Sequence, residues 1–253
     1  MSAREILALA VVSFVVAAGL AGRAVADDAV AQMDALWASR IGADDNAKKI
    51  LDLADAAFAA APSYDVAWRA ARAAFWICIS DPADSKETKR NYGKKAWDWG
   101  LKATALNPNG VEGYTWGAVG IGEYSKGVGV TKAVGQGLAK KYEAWARKAV
   151  SLDADYDHGT PLRAMGLYYQ KLPWPLRDSA KAEEYFKRAI ALAPCMIRSY
   201  LYLADLYRED KKWDKARATL AAGLAQEPCP DETREGAWFK RQMQKLAAGL
   251  PAN

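Results

Sequence analysis

Three aspartates alternate along residues 153–157, immediately before the only histidine of the chain. Asp153, Asp155 and Asp157 precede His158, and alternating acids are one requirement of a calcium-binding loop. Such a loop also needs glycine at its sixth position and a bidentate glutamate at its twelfth, where this chain has His158 and Ala164. Acids at the start of a helix commonly cap it. The sequence therefore predicts helix capping here, and no metal site.

Few residues of the sequence could carry catalysis. A serine or cysteine nucleophile would have to use His158 as its base, and the chain contains no G-x-S-x-G motif and no second histidine for a zinc site. Gly122–Gly137 is rich in glycine but contains no phosphate-loop motif. We expect this stretch to be a flexible connection, or alternatively a mobile lid or partner-binding loop. We expect no enzyme and no cofactor.

The chain has three cysteines, an odd number, so they cannot all be paired in disulfides within one chain. Cys78 stands alone, whereas Cys195 and Cys229 each follow a proline, Pro194 and Pro228. Equivalent points of stacked helices lie roughly 8–10 Å apart, beyond the limit of about 7 Å between the Cα atoms of a disulfide. Cys195 and Cys229 therefore pair only if their loops bend toward each other, and the sequence leaves that alternative open.

Residues 197–228 predict two short helices separated by a polar break. Apolar residues recur at the spacing of one helix face in each half: Tyr200, Leu203, Ala204, Tyr207, then Ala216, Leu220, Gly223, Leu224. The ending of the second helix recurs upstream, around residues 62, 108, 154 and 194, at spacings of 46, 46, 40 and 34 residues up to Pro228. The chain is thus an internal repeat, whose surplus residues we expect between the two helices of each pair.

This pattern resembles the tetratricopeptide repeat (TPR), with Gly223 where alanine is usual. The resemblance implies an all-α, TPR-like α-solenoid of about five helix pairs, in a domain spanning residues 27–253. A final amphipathic helix, at residues 231–250, is expected to cap its exposed end. Strand patterns are nearly absent.

Two finer resemblances lie within the TPR superfamily. The long inserts and the glycine-rich third unit make residues 46–228 look like the periplasmic T component of tripartite ATP-independent periplasmic (TRAP) transporters. The Leu172-Pro173-Trp174 insert is similar to one in the TPR domain of animal regulators of microtubule dynamics, which suggests an old structural branch without a shared role.

The N-terminus predicts export. Arg4 precedes an apolar run from Ile6 to Gly22, and an A-x-A cleavage site ends at Ala26. We expect residues 1–26 to be a cleaved signal peptide and the mature protein to be periplasmic, without a membrane span; an N-terminally membrane-anchored protein is the alternative. Arg23 stands where a lipoprotein would need cysteine.

The net charge of the chain is +5, from 35 basic and 30 acidic residues, and the sequence contains no arginine-rich block. This composition argues against nucleic-acid binding.

The TPR resemblance implies that the first helix of each pair lines a concave face that binds a partner. Placed on this sequence, the candidate partner-binding residues are Arg69, Trp76, Tyr114, Arg163, Gln170, Arg198, Asp205 and Arg208. Several of them are arginines, which bind carboxylates bidentately. We therefore expect an acidic group on the partner.

The predicted function is a non-enzymatic, exported TPR adaptor that binds a protein. The TRAP resemblance implies a transport accessory role with a periplasmic solute-binding protein as partner, and a homo-oligomer is a further option. Two alternatives stay open: a protein that binds or carries an apolar or acidic solute, and a scaffold for cell-envelope assembly.

Overall fold

The protein is an array of α-helices, seen in a computed structural model that describes residues 22–41 and 45–251. The predicted signal peptide lies outside the described residues except for its last five positions. These residues contain no strand, and the all-α prediction is confirmed. The helices are α1 (22–38), α2 (Asn46–Ala60), α3 (Tyr64–Ser80), α4 (Lys86–Leu106), α5 (Val111–Val128), α6 (Val130–Gly135), α7 (Leu138–Leu152), α8 (Tyr156–Lys171), α9 (Ser179–Leu192), α10 (Ile197–Glu209), α11 (Trp213–Ala225) and α12 (Thr233–Ala248).

Five helix pairs form the array: α1–α2, α3–α4, α5–α7, α8–α9 and α10–α11, with α6 as a short extra helix. The second helices of the first four pairs end alike, with a backbone N–H donating to the carbonyl of a small residue one turn earlier. These small residues are fully or almost fully buried, which allows close helix packing: Ala57, Ala103, Ala149 and Ala189. In the fifth pair, a Cβ on Gly223 would lie 2.6 Å from the Cβ of Tyr200. Glycine therefore replaces alanine there for steric reasons.

The surplus residues of the second and third pairs lengthen the helices. Helices α3, α4 and α5 have 17, 21 and 18 residues, whereas α10 and α11 have 13 each. We expected these surplus residues to form polar connections between the two helices of each pair. This prediction is wrong for the second and third pairs, because the residues extend the helices, and a longer helix buries more of its length against its neighbour. In the fourth pair, by contrast, the Leu172-Pro173-Trp174 insert lies in the Leu172–Asp178 connection between α8 and α9, as expected.

The glycine-rich stretch is largely helical, and the prediction of a flexible connection is wrong for its first half. Gly122 and Gly127 lie within α5, where Gly122 leaves room for the Tyr142 ring of α7 and Gly127 lets the backbone of α4 approach closely. A Cβ on Gly127 would lie 2.3 Å from the backbone nitrogen of Arg90. Turns follow only at Gly129 and Gly137, which have φ angles of 84° and 63°, a region that glycine enters at no steric cost.

Helix α8 begins with a left-handed turn. Asp157, His158 and Gly159 have φ angles of 48°, 54° and 81°, and regular helix follows from Thr160. A left-handed conformation costs a non-glycine residue about 1–2 kcal/mol. The turn must therefore be held by its surroundings.

Helix α12 caps the array as predicted. It also contacts the first helices of the array. It packs against α10 and α11, and its Trp238 ring lies 5.7 Å from the ring of Trp76 in α3. Arg40, directly after α1, forms ion pairs with Glu232 and Glu235 at the start of α12. The last helix thus joins the first helices of the array to the last pair.

Cys195 and Cys229 form a disulfide with Cα atoms 4.8 Å apart. The inter-repeat spacing of roughly 8–10 Å is therefore the wrong guide here, and the alternative of bent loops is the one observed. The Cys229 N–H donates a hydrogen bond of 3.2 Å to the Cys195 carbonyl, which brings the two loops together. Cys78 is a buried free thiol, and burial raises its pKa.

Candidate functional site

The predicted partner-binding residues of the first two repeats lie at contacts within the chain. Arg69 makes two hydrogen bonds of 2.9 Å with the Asp34 carboxylate of α1, and its guanidinium stacks on Trp68. Trp76 is 5% exposed and lies between Trp37 and Trp238. Both side chains therefore join helices, and little of Trp76 is available to a partner.

Tyr114 faces the second helix of its own pair. Its ring lies 5.5 Å from the ring of Trp145 in α7, edge to face. The side chain is half-buried, and the Trp145 ring covers part of it.

Arg198 binds a carboxylate, as expected from its type, but the carboxylate belongs to the same chain. Glu235 of α12 is 2% exposed and bridges Arg198 and Arg40. The Arg198 guanidinium also lies 4.7 Å from the centre of the Phe239 ring. Helix α12 therefore occupies the arginine site of the fifth repeat in the way that an acidic partner helix would.

Arg163 holds the left-handed turn that begins α8. The side chain is 1% exposed, and its two terminal nitrogens donate to the carbonyl oxygens of His158 at 2.5 Å and Asp157 at 3.0 Å. Another hydrogen bond reaches the hydroxyl of Thr160. Burial, followed by repulsion from Arg198, lowers the pKa of Arg163 to about 10. These bonds offset part of the backbone cost of the turn, and Arg163 is inaccessible to a partner.

Glu232 completes this buried charge cluster. Burial raises its pKa to about 7, in spite of the opposing attraction of Arg198 and Arg163. Its carboxylate lies 3.4 Å from Arg40. The start of α12 thus carries a carboxyl group that changes charge near neutral pH.

The other predicted residues lie in a polar network at the C-terminal ends of α8 and α10. Gln170 donates to Asp205 at 3.2 Å and to Glu209 at 3.1 Å, and Arg208 donates to Asp205 at 2.9 Å. Although burial opposes it, attraction to Lys171 and Arg208 holds the pKa of Asp205 below its usual value. The structure therefore brings Gln170, Asp205 and Arg208 together, and Arg208, with 42% of its side chain exposed, is the most accessible.

An apolar cavity of about 200 Å³ opens beside this network. Helices α3, α5, α6, α7 and α8 line it, and residues 172–173 close one side. Its walls are mainly apolar side chains: Phe75, Val119, Val130, Val134, Leu138, Tyr142, Leu167 and Leu172. The polar members include Glu123, which is 5% exposed and pairs with Lys126 at 2.6 Å.

Four exposed apolar side chains belong to this region, and we call them the apolar rim: Val130 and Val134 line the cavity, and Trp174 and Leu176 follow its lining residue Pro173 in the sequence. Val130 and Val134 on α6 are 65% and 66% exposed, and Trp174 and Leu176 beyond α8 are 90% and 64% exposed. Single exposed apolar residues are ordinary, whereas several around a cavity are typical of an interaction site. The glycine-rich stretch, which carries Val130 and Val134, was predicted as a partner-binding loop only as an alternative, and the cavity and the Trp174–Leu176 part of the rim were not predicted. A signal for the rim was Val130 and Val134, four residues apart in this stretch.

Of the alternating aspartates, Asp153 binds backbone N–H groups at the start of α8 as predicted for a capping residue, whereas the Asp155 side chain, at the N-cap position, makes no capping hydrogen bond. The Asp153 carboxylate accepts hydrogen bonds from the backbone N–H groups of Asp155 at 2.9 Å and Tyr156 at 3.1 Å. Asp157 accepts from the Thr160 hydroxyl. His158 points to a different partner, Asp231, at 2.9 Å.

Comparisons with known structures place the fold among TPR proteins. A thermophilic TPR protein of Thermus thermophilus is 20% identical, with a TM-score of 0.59 over 80% of this chain and 95% of that chain. PilF of Pseudomonas aeruginosa is 16% identical, with a TM-score of 0.53 over 88% and 94%. At these identities the likeness shows the fold alone. No curated protein matches the sequence closely enough to count as a relative.

Two family profiles match the sequence. The tetratricopeptide repeat profile matches residues 177–231, from just before α9 to the segment that precedes α12. The profile described as regulator of microtubule dynamics protein 1-3 matches residues 29–166, which is more than half of the chain and includes the lengthened pairs. The chain therefore belongs to the regulator of microtubule dynamics protein 1-3 family and is built from tetratricopeptide repeats.

Proposed function

We propose that this protein is a non-enzymatic adaptor, exported to the periplasm, that binds a protein partner through its apolar cavity and rim. TPR arrays are scaffolds for protein–protein interaction, and the fold supports this class of function. The observation that carries the proposal is the cavity of about 200 Å³, with Val130 and Val134 exposed in its wall and with Trp174 and Leu176 exposed in the segment that follows its lining residue Pro173. Apolar anchors that enter a pocket supply most of the binding energy at protein interfaces.

The size of the cavity favours a side chain of a partner over a free solute. A cavity of about 150 Å³ accommodates a molecule as small as benzene, whereas sites for drug-sized ligands measure about 300–1,000 Å³. The cavity here is closer to the first value and matches one or two large apolar side chains. The partner would bury further apolar surface on Val134 and Trp174.

Charge defines the second feature of the proposed partner. Arg208 and Lys171 stand at the edge of the polar network, with 42% and 37% of their side chains exposed. A partner segment with an acidic residue beside its apolar anchor would meet these cations. The proposed contact retains the expected recognition of a partner carboxylate by an arginine. The arginine, however, is at the exposed end of α10 and is neither Arg163 nor Arg198.

The periplasmic solute-binding subunit of a TRAP transporter is one candidate partner, on the strength of the sequence resemblance of residues 46–228. The described residues contain no helix that is both long and apolar enough to cross a membrane. Fractionation of cells that express the full chain, with N-terminal sequencing of the product, tests export and cleavage after Ala26.

Site-specific photocrosslinking in cells tests the adaptor function. A photoreactive amino acid replaces Val134 in the rim, and a matched control replaces Leu192 on α9, which is 40% exposed and does not line the cavity. We expect a protein crosslinked from position 134 and not from position 192. A second variant, V130D/V134D, should abolish its capture by the purified chain, whereas L192D should not. The same proteins recovered from both positions would contradict the proposal.

A small apolar solute is the second candidate occupant, because the cavity walls are mainly apolar. Native mass spectrometry of the purified chain would detect it as a fixed added mass. We expect no such mass. A bound solute that is lost in a Leu138→Asp variant, together with no crosslinked protein, would favour the carrier function over the adaptor.

A further inference from the structure

The single histidine and the disulfide meet at one place on the surface. One ligand atom each from His158, Cys195 and Cys229 lie within 4.8 Å of one another. His158 comes from the start of α8, and the cysteines come from the loops that follow α9 and α11. Three separate segments therefore bring together two sulfurs and one imidazole, the atoms that soft and borderline metal ions bind best.

We propose that this cluster is a zinc site when the disulfide is reduced. Cys195 and Cys229 would bind Zn²⁺ as thiolates and His158 as a neutral imidazole, with the fourth position left for water. At Zn–S and Zn–N distances of about 2.3 and 2.0 Å, tetrahedral ligand atoms lie roughly 3.5–3.8 Å apart. With the disulfide intact the three ligand atoms lie within 4.8 Å of one another, so reduction must let the two sulfurs move apart and let the imidazole close in on them to reach this geometry.

His158 is held in the manner of a metal ligand. Its Nε2 hydrogen-bonds the Asp231 carboxylate at 2.9 and 3.1 Å, which leaves Nδ1 as the ring nitrogen for a metal. Metal-binding histidines almost always donate their other N–H to such a carboxylate or carbonyl group, which fixes the tautomer and the ring orientation. Asp231 is therefore assigned as a positioning residue.

The backbone places His158 at a cost that capping alone does not explain. Its φ angle of 54° belongs to the left-handed region, where a non-glycine residue costs about 1–2 kcal/mol. Strained residues of this kind cluster at functional sites. Arg163 maintains the strain through its bonds to the carbonyls of His158 and Asp157.

The two sulfurs would stay close after reduction. The hydrogen bond from Cys229 N–H to Cys195 O joins the loops independently of the sulfur atoms. Cys229 is fully buried beside Ala193 and Met196, whereas Cys195 and His158 are half-exposed. A reductant and a metal ion can therefore reach the site from the Cys195 side.

The disulfide and the metal exclude each other. A dithiol reductant attacks Cys195 Sγ and releases the Cys229 thiolate; its second thiol then releases Cys195, so that the reductant becomes a disulfide and supplies two electrons and two protons. Zn²⁺ binding releases the two thiol protons. The same two loops are thus tied either by a covalent bond or by a metal ion.

Metal titration of the full chain tests the proposal, with Zn²⁺ in competition with a chromogenic chelator and Co²⁺ as a spectroscopic probe. The reduced protein, kept anaerobic, should bind one ion and give Co²⁺ thiolate charge-transfer absorption. The oxidised protein should not, and it serves as a folded control without any substitution. A reduced protein without this absorption, or an oxidised protein with equal affinity, would overturn the proposal.

Variants assign the ligands. His158→Ala should weaken Zn²⁺ binding by at least about tenfold, and Asp231→Asn by about 10–100-fold, while circular dichroism stays unchanged. Cys78→Ser is the matched control, because Cys78 is a buried cysteine outside the cluster, and should leave the affinity unchanged. Loss of binding in the Cys78 variant, or unchanged binding in the His158 variant, would refute the three-ligand site. Zn²⁺ should also slow the air oxidation of Cys195 and Cys229. An unchanged oxidation rate would contradict the proposal that the metal ion and the disulfide exclude each other.

Discussion

Glu232 should make the stability of this protein depend on pH near neutrality. Burial among the charges at the start of α12 raises its pKa from 4.5 to about 7. A group whose pKa is higher in the folded state contributes stability at low pH and loses it as the pH rises through the folded value. The contribution is therefore complete below about pH 4.5 and lost above about pH 7.

The size of the effect follows from the two pKa values. They lie about 2.5 apart, and at about 1.4 kcal/mol for each pKa unit this corresponds to about 3 kcal/mol of unfolding free energy. The carboxyl is mostly buried, with 13% of the side chain exposed, so solvent screening reduces this value little. Glu232→Gln should keep the neutral form at every pH.

Urea denaturation at several pH values between about 5 and 8.5 measures the effect. The wild-type free energy of unfolding should fall with rising pH relative to that of Glu232→Gln, and the two proteins should differ by up to about 3 kcal/mol at the upper end. Glu184→Gln is the control, because 63% of the Glu184 side chain is exposed. Parallel pH profiles for the wild type and Glu232→Gln would refute the reasoning.

Three further predictions concern the packing of the array. Glu235→Ala leaves the buried guanidinium of Arg198 without its carboxylate and leaves Arg40 with Glu232 alone, and it should cost about 3–5 kcal/mol in urea denaturation; a loss below about 1 kcal/mol would contradict the docking of α12 through this residue. Gly127→Ala should lower the melting temperature clearly, because its Cβ would meet the backbone of α4 at 2.3 Å, whereas Gly135→Ala, which has open space, should not; equal effects would argue against the close approach of α4 and α5. Replacing both Cys195 and Cys229 with serine removes a cross-link across 34 residues and should cost about 3–4 kcal/mol relative to the oxidised wild type. The same variant should be as stable as the reduced wild type. If it were as stable as the oxidised wild type, the disulfide would not stabilise the fold.

The helices and their pairing could be predicted because both depend on local patterns. Tyr200, Leu203, Ala204 and Tyr207 share one face by their spacing alone, and all four are buried in α10. The small residues near the ends of the second helices, such as Ala103, likewise marked each helix ending by their position in the sequence. The lengths of α3–α5 were harder to predict, because polar residues on an exposed helix face look like a connection.

The sites depended on contacts between distant segments, and the sequence could only suggest candidates for them. Arg198 was expected to bind a carboxylate, but its partner Glu235 is placed there by the return of α12, which no spacing encodes. Trp76 was expected on an open face and is covered by Trp238 for the same reason. Arg163 was chosen as a partner-binding arginine, although its donors bind the turn at the start of its own helix.

The all-α array of repeats, the small residues that allow its helices to pack and the capping role of Asp153 all follow from the sequence. These properties follow from the period of apolar residues and from local backbone chemistry. Three features came from the packed molecule and not from the local pattern: Cys195 pairs with Cys229, His158 lies beside them, and α3 and α5–α8 line an apolar cavity. The physical reason is that these arrangements join segments separated by tens of residues, and their distances depend on how successive helix pairs stack and on how the connecting loops bend.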